Sequence, residues 1–367
     1  MSSTVVVVGG GYGGTTVAKT LDEVAEVILV EQKDSFVHNV AALRGVVDPA
    51  WSERLFLSYD GLLSRGRIVH ARAERVEPGS VTLSTGERIE ADFVVLATGS
   101  TYPFPAKFDI DDAAGAKARL AETRTALQAA DSVLLLGAGP VGLEFAGEIR
   151  AAWPEKRITI VDPASDVIVG DFPDELRAEV RRQLEELGVE IVLGASLVEE
   201  PPAEPGRAKT FTAKLTTGAE VTADIWFRCF GAAPATDCLG AGLAANRQSG
   251  GLVEVRDTLQ LPGQERVFAL GDVTSIPEAK KAKAAEDHAV VIANNIRKLI
   301  AGETELETYR AGGPMIALSL GPNGGAGFIP ERGVLGAEMV SRAKSADLRT
   351  TFYEELLGVV RPAADQG

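Results

Sequence analysis

Three glycines near the start of this 367-residue chain could bind a phosphate group. Gly9, Gly11 and Gly14 follow the apolar run at 5–8 with the spacing G-x-G-x-x-G. In this pattern the first glycine permits a tight turn, the second lets a pyrophosphate approach the backbone, and the third lets a helix pack close to the strand. The free N–H groups and the positive dipole end of that helix favour an anion. The corner therefore predicts a dinucleotide-binding site.

The same corner occurs a second time. Gly137, Gly139 and Gly142 repeat the spacing, and Asp162 ends the next strand-like stretch, RITIVD, as Glu31 ends EVILVE in the first copy. An acid roughly 20 residues after the first glycine can accept hydrogen bonds from a ribose diol. The alternative is a pair of glycine-rich turns without a ligand. Because strand, glycines, helix, strand and acid recur together, the sequence favours two dinucleotide sites.

The repetition extends from the corners to whole modules. One module closes on DFVVLATG, which ends at Gly99, and the other on DIWFRCFG, which ends at Gly231. Each closing stretch follows alternating apolar and polar residues around a Thr-Gly turn, which predicts an antiparallel hairpin. We therefore expect an α/β fold with two Rossmann-like dinucleotide-binding domains.

A third element has no second copy in the sequence. The strand-like stretch ERVFALGDVTS ends at Gly271-Asp272, and a helix is predicted over 280–301. This helix contains His288 and Asn295.

Composition limits the class of protein. The chain has 52 acidic residues against 37 Lys and Arg, a net charge of −15, which disfavours nucleic acid as a partner. The two cysteines, Cys229 and Cys238, cannot form a disulfide framework, and with three scattered histidines they give no metal-ligand spacing. We therefore expect a reduced protein that has no metal site and no nucleic-acid partner.

The sequence carries no signal for stable membrane attachment. No apolar run approaches the roughly 20 residues of a membrane span, and the first strand starts without a preceding signal peptide. Ser2 stands where N-myristoylation needs glycine. We expect a cytoplasmic protein without an anchor. A peripheral contact at the inner face of the membrane, and the choice between monomer and homodimer, stay open.

Three features together resemble the flavoproteins that have two dinucleotide-binding domains. They are the glycine corner with Glu31, the strand end Ala97-Thr98-Gly99 and the strand end Gly271-Asp272. The resemblance implies an FAD-binding domain at 1–107 and 252–310, with an NAD(P)H-binding domain inserted at 108–251. It also implies a small α+β C-terminal domain at 311–367.

Three further stretches resemble a narrower branch, the ferroptosis suppressor proteins, also called AIF-homologous inducers of death. These stretches are KDSFVHNVAALRGVV at 33–47, LATGSTYPFPAKF and AKSADL. The resemblance implies hydride transfer from NADH to FAD and electron transfer onward to a quinone of ubiquinone, menaquinone or vitamin K type. An NADH-dependent ferredoxin or rubredoxin reductase, and an AIF-like redox-sensing partner protein with slow NADH oxidation, are the alternatives.

Two residue types refine this hypothesis. Asp162 favours NADH over NADPH, because a 2′-phosphate would face a carboxylate. A flavin-dependent disulfide reductase would need a C-x₄-C pair on the first domain. That class is rejected, since no cysteine precedes Cys229.

The resemblance assigns the ADP half of FAD to Gly9, Gly11, Gly14, Glu31 and Lys33. Thr98 and Gly99 pass beneath the pyrophosphate or ribityl chain, with a simple strand end as the alternative. Asp272 accepts a hydrogen bond from a ribityl hydroxyl, or it caps a turn. The remaining residues of the implied cofactor-binding set are Tyr12, Gly13, Gln32, Asn39, Ala42, Ala73, Ala97, Pro140, Val141, Gly231, Gly271 and Ala282.

The resemblance also implies three catalytic candidates. Glu144 positions the nicotinamide ring, or it only complements a helix dipole. Lys344 lies near the flavin, or it is an ordinary surface lysine. His38 contacts the flavin or moves a proton, or it is a hydrogen-bonded structural histidine.

Three basic residues are expected to face the cofactor. Arg44 meets a phosphate. Lys280 and Lys281 open the late helix, whose N-terminus faces the flavin N1–C2=O edge and stabilises its negative charge after reduction. Solvated surface charge is the alternative for this lysine pair.

The C-terminal region contains the strand-like PMIALSLG and GAGFIP and a helix-like stretch, DLRTTFYEELLGVV. Phe352, Leu356, Leu357 and Val360 have helical spacing, which favours packing against the FAD domain over membrane insertion. The resemblance implies that this region covers the flavin and shapes the acceptor side.

Overall fold

A computed structural model describes residues 2–359 of the chain. Its helices are α1 (Tyr12–Leu21), α2 (Ala42–Val47), α3 (Pro49–Ser52), α4 (Ala113–Ala129), α5 (Pro140–Ala152), α6 (Asp174–Glu186), α7 (Ala282–Ile300), α8 (Ala337–Val340) and α9 (Thr350–Leu356). Three 3₁₀ turns cover Asn39–Ala41, Ala244–Asn246 and Gly271–Val273, and a π-helical turn covers Ser341–Ser345.

The strands of the first module, in chain order, are β1 (Thr4–Val8), β2 (Glu26–Glu31), β3 (Phe36–Val37), β4 (Phe56–Leu57), β5 (Arg67–His70), β6 (Ala73–Glu77), β7 (Ser80–Leu83), β8 (Arg88–Glu90), β9 (Phe93–Leu96) and β10 (Ser100–Thr101). Those that follow are β11 (Ser132–Leu136), β12 (Arg157–Asp162), β13 (Val189–Leu193), β14 (Phe211–Lys214), β15 (Glu220–Ala223), β16 (Ile225–Arg228), β17 (Ala233–Pro234), β18 (Val267–Ala269), β19 (Ile316–Ser319), β20 (Gly325–Ile329) and β21 (Gly333–Leu335).

The first module builds a parallel sheet in the order β18-β9-β1-β2-β5. The continuous valine run of β1 lies at its centre and is buried on both faces, as a β-branched run without alternation predicts. Helices α1 and α7 pack together on one face, and the antiparallel strands β6 to β8 cover the other. Strand β18 joins this sheet although the whole second module separates it from β9 in the chain.

The second module repeats the architecture as a parallel sheet in the order β13-β12-β11-β16. Helices α4, α5 and α6 contribute to the core on one face, and the hairpin β14–β15 packs on the other. The predicted α/β class, the tandem modules and both hairpins are confirmed. A two-stranded antiparallel pair, β10 with β17, connects the modules.

The C-terminal region adds the antiparallel sheet β19-β20-β21 and the short helices α8 and α9. Strand β19 packs against α5 of the second module. Of the predicted positions, Leu357 is fully buried in the core of the first sheet and Leu356 packs partly buried against it, whereas Phe352 is 46% exposed. The predicted packing of this helix is thus confirmed for two positions, and Val360 lies outside the described residues. None of the helices described between residues 2 and 359 combines the length with the hydrophobicity that a membrane span needs.

Candidate active site

The first glycine corner has the geometry of a phosphate cradle. Gly9 adopts a left-handed φ of +106°, and a side chain there would place its Cβ 2.4 Å from the Ala97 carbonyl oxygen. A Cβ on Gly14 would lie 1.9 Å from the carbonyl oxygen of Gly9, so the helix approaches the strand as closely as glycine allows. Gly11 is different, because its Cβ would meet nothing within 4 Å. The open space beside Gly11, at the N-terminus of α1, fits a pyrophosphate.

The second corner reproduces this geometry. Gly137 has a φ of +118°, and a Cβ on Gly142 would lie 2.0 Å from the Gly137 carbonyl oxygen. A Cβ on Gly139 would again meet nothing within 4 Å. The same backbone therefore surrounds the same kind of opening at the N-terminus of α5.

Each corner is tied to the acid at the end of the adjacent strand. Glu31 accepts hydrogen bonds from the Gly10 amide at 2.6 Å and from the Lys33 amide at 2.9 Å. Asp162 accepts them from the Ala138 amide at 2.6 Å and from the Ala164 amide at 2.7 Å. Since a carboxylate has about four acceptor positions, each acid keeps capacity for a ribose diol.

Asp272 lies in a small polar cluster at the end of β18. Its carboxylate accepts a hydrogen bond from the Ser100 hydroxyl at 2.5 Å and pairs with the Lys107 ammonium at 3.2 Å. Lys107 also donates to the Ser100 carbonyl oxygen at 2.9 Å. Ser100 and Lys107 were not among the predicted site residues, although both lie in the stretch LATGSTYPFPAKF. Nearby, Thr98 donates to the Ala235 carbonyl oxygen at 2.6 Å.

Glu144 and Lys344 meet in space although 200 residues separate them in the chain. The Lys344 ammonium lies 2.6 Å from a Glu144 oxygen and also donates to the Ala317 carbonyl oxygen at 2.9 Å. The same Glu144 oxygen accepts the Ser319 amide at 3.1 Å. The pair joins α5 of the second module to the C-terminal region. Both side chains keep partial exposure, at 16% and 20%.

The structure corrects the prediction for Arg44. Its guanidinium makes a bidentate pair with Glu148 of α5, at 3.0 and 2.7 Å, and both side chains are 5% exposed. It also donates to the Ala346 carbonyl oxygen and lies over the Trp51 ring. Burial raises the pKa of Glu148, and Arg44 opposes that shift. Arg44 is therefore a buried link between α2 and α5 and is not open to a phosphate.

The structure also corrects the catalytic prediction for His38, which is fully buried. Its Nε2 lies 3.0 Å from the Leu348 carbonyl oxygen, so this nitrogen carries the proton. Its Nδ1 accepts the Tyr12 hydroxyl at 3.1 Å, and that hydroxyl accepts the Val40 amide at 2.8 Å. Burial lowers the pKa of His38 to about 4. His38 is therefore a neutral imidazole with both nitrogens hydrogen-bonded, which agrees with the alternative prediction of a structural histidine.

Lys280 and Lys281 were predicted to be the first residues of the late helix. The structure corrects this prediction, because both lysines precede the helix. Helix α7 begins at Ala282, and Lys281 is the N-cap residue. The Lys280 ammonium donates to the carbonyl oxygens of Thr274 and Ile276, and Lys281 donates to that of Met315. Burial lowers the pKa of both lysines. The pair therefore fastens the loop before α7 and is not freely solvated.

Of the other predicted site residues, one lies in the protein core and the rest lie near the two glycine corners, the strand ends or the helix starts. Ala42 is fully buried in the core, which corrects its assignment to the cofactor site. The remaining ones lie at the corners, strand ends and helix starts already described or close to them in the chain: Gly13, Gln32, Lys33, Asn39, Ala73, Gly99, Pro140, Val141, Gly231 and Gly271. Lys33 turns its ammonium to the carbonyl oxygens of Phe108 and Ile110. Within residues 2–359, no group of three or more potential ligand side chains is placed to hold a metal.

Two glycine corners, each bound to a strand-end acid, together with the Gly271-Asp272 turn beside α7, define a flavoprotein oxidoreductase with two dinucleotide sites. The comparisons with known proteins agree. Residues 3–289 match the family model described as pyridine nucleotide-disulphide oxidoreductase, and the chain belongs to that family. It is an FAD-dependent NAD(P)H oxidoreductase.

Relatives place the chain within the family. The chain is 31% identical to Ferroptosis suppressor protein 1 of Taeniopygia guttata, over 98% of this chain and 97% of the relative. It is 32% identical to Ferroptosis suppressor protein 1 of Homo sapiens, over 94% and 93% of the two chains. The chain therefore belongs to the ferroptosis suppressor protein branch. Among solved structures, the fold is similar to sulfide:quinone oxidoreductase of Aquifex aeolicus, with a TM-score of 0.75, 18% identity and coverage of 99% and 93%.

Proposed function

We propose that the enzyme oxidises NADH and reduces a quinone, with FAD bound by residues 1–107 and 252–310 and NADH by 108–251. When bound, FAD supplies the hydride-accepting and electron-donating chemistry, while the chain supplies binding, orientation and electrostatics. The proposal includes a cytoplasmic location, with at most a peripheral contact at the inner face of the membrane. Stated without the identity of the acceptor, the proposal is that the electrons pass to a small molecule.

One observation carries the proposal, namely the pair between Glu144 and Lys344. It brings a carboxylate on the NADH-binding helix to an ammonium from the C-terminal region, at 2.6 Å. An ammonium beside an acceptor carbonyl stabilises negative charge as it develops and can supply a proton. Glu144 orients Lys344 and is placed to contact the nicotinamide end of the nucleotide. This arrangement suits a small carbonyl acceptor, such as a quinone, at the C-terminal side.

The state of the two cysteines also favours a quinone over a disulfide as the electron acceptor. Cys229 is buried, and burial raises the pKa of its thiol to about 12. Cys238 is half-buried, and burial raises the pKa of its thiol as well. Because the thiolate is the reactive form, neither residue is suited to exchange with a disulfide. A quinone acceptor needs no protein thiol.

Steady-state assays with purified protein test the proposal. We expect NADH-dependent reduction of ubiquinone-, menaquinone- and vitamin K-type quinones, and a fall of about 10²- to 10³-fold in kcat for Lys344→Met, the loss typical of one electrostatic stabiliser. Glu90→Gln, at an exposed surface pair, is the control and should keep full activity. Reduction of a ferredoxin or rubredoxin but of no quinone would overturn the proposal. An unchanged kcat in Lys344→Met would overturn the role given to the Glu144–Lys344 pair.

A further inference from the structure

A connected set of polar side chains, His288, Glu278 and Tyr309, reaches the Gly271-Asp272 turn. His288, on α7, is fully buried, and its Nδ1 accepts the Gly271 amide at 3.0 Å. A backbone amide can only donate, so Nδ1 carries no proton and the proton of the neutral ring is on Nε2. The imidazole is thus the acceptor that satisfies a buried amide beside the predicted ribityl contact.

The other ring nitrogen faces a carboxylate. Nε2 of His288 lies 2.7 Å from a Glu278 oxygen, although the two atoms are not aligned for a hydrogen bond, and neither has a hydrogen-bonding partner among residues 2–359. The second Glu278 oxygen accepts the Tyr309 hydroxyl at 2.7 Å, and the Tyr309 ring stands edge-on to the imidazole at 4.3 Å. The Glu278 carboxylate beside Nε2 therefore favours, through its negative charge, the tautomer with the proton on Nε2, which leaves Nδ1 free to accept from Gly271.

Tyr309, at the outer end of this set of side chains, is partly exposed to solvent. Tyr309 lines an open cavity of about 600 Å³, together with residues that include Ser275, Ile276 and Pro277. The Glu278 side chain keeps 10% exposure, whereas that of His288 keeps 1%. The charged groups that act on the imidazole are Glu278 and Lys280 from the preceding loop and Asp287 from its own helix.

We propose that His288, oriented by Glu278, is a positioning residue for FAD: as a neutral acceptor it fixes the Gly271-Asp272 turn, and on protonation it releases that turn and loosens the cofactor. An imidazolium has two donors and no acceptor, so it would leave the buried Gly271 amide unpaired. The inference concerns FAD retention and holds for any electron acceptor. Its failure would therefore leave the proposed quinone reduction unaffected.

Two substitutions separate the acceptor from its surroundings. In His288→Asn, the side-chain oxygen can take the position of Nδ1 and accept from Gly271 without titrating. In His288→Gln, the longer amide reaches the position of Nε2 and leaves the Gly271 amide without an acceptor. The loss of one buried hydrogen bond predicts FAD release about 10- to 100-fold faster in His288→Gln. His288→Asn should stay within a few-fold of wild type.

The measurement is the rate of flavin release from diluted holoenzyme, followed by the rise in free-FAD fluorescence between pH 8 and pH 5. Burial lowers the pKa of His288 below its ordinary value of 6.5, so the neutral form prevails at pH 8 and release should accelerate as the pH falls below 6.5. In His288→Asn this acceleration should be absent. Equal release from all three proteins, or equal impairment of both variants, would overturn the proposal in favour of a packing role. Should His288→Gln not fold, a flat pH profile of the wild-type protein is the overturning result.

Discussion

Asp162 should determine which nicotinamide nucleotide the enzyme uses. Its two oxygens accept amides of the glycine corner and of the following loop, at 2.6 and 2.7 Å, so the carboxylate is fixed at the end of β12. NADH would offer a ribose diol to its remaining acceptor positions. NADPH would instead bring a 2′-phosphate of roughly −2 charge to the same place, as phosphate monoesters carry near neutral pH.

The magnitude follows from the separation of the charges. Two unit charges about 5 Å apart at an effective dielectric constant of about 20 repel by about 3 kcal/mol. Solvent screening lowers this value, whereas the second phosphate charge and the lost hydrogen bonds raise it. A net cost of about 2–4 kcal/mol corresponds to a preference of about 30- to 1000-fold in kcat/KM for NADH.

The structure adds a cation that the linear sequence did not place at this site. Arg181, on α6, reaches the loop after β12 and pairs with Asp166. Because the guanidinium is already held by this carboxylate, it should give a 2′-phosphate little rescue in the wild-type protein. Removing Asp166 should free Arg181 for an incoming phosphate.

The assay is kcat/KM for NADH and NADPH with one fixed quinone, measured on wild type, Asp162→Asn and Asp162→Asn with Asp166→Ala. Asparagine removes the charge and keeps an oxygen for one of the two amides, so the corner is disturbed less than by alanine. We expect the preference to fall at least about 10-fold in the single variant and further in the double variant. Equal efficiencies in wild type would refute the reasoning. An unchanged ratio in Asp162→Asn would show that this carboxylate does not contact the ribose.

Three other outcomes follow from the geometry. Gly11→Val should fold but bind no FAD, because the valine side chain would fill the open cradle. The flavin that heat releases from the wild-type protein should be FAD, and release of FMN would contradict this prediction. Cys229→Ser with Cys238→Ser should keep NADH-dependent quinone reduction in steady-state assays, and a folded but inactive variant would contradict the role given to these thiols. Arg44→Met should lower the free energy of unfolding by about 3–5 kcal/mol in urea titrations, because Glu148 is left buried and unpaired, and adding Glu148→Leu should restore much of it.

The sequence predicted those parts of the fold that depend on local pattern. The valine run of β1, the glycine spacings and the strand-end acids each lie within one short segment, and a repeated segment folds the same way twice. The hairpins were predictable for the same reason, since alternation around a Thr-Gly turn is a local signal. All of these predictions are confirmed.

The errors concern which side chains meet across the modules. Arg44 has the charge to bind a phosphate or a carboxylate, and only the packing of α2 against α5 places Glu148 beside it. His38 was ambiguous in the same way, because its buried tautomer depends on a carbonyl oxygen 310 residues away at Leu348. No local periodicity reports such distances.

Helix α5 has different surroundings from α1, its counterpart in the first module. In the first module, α1 packs mainly against α7, and its residues Tyr12 and Lys19 also contact helix α9. In the second module, Glu144 and Glu148 lie one turn apart on α5, and each pairs with a cation from outside the module, Lys344 or Arg44. Arg44 also holds the Ala346 carbonyl oxygen, two residues after Lys344. The two carboxylates therefore fix α5 against both the first module and the C-terminal region, and hydride transfer between two nucleotides bound at the two corners would require such a fixed arrangement.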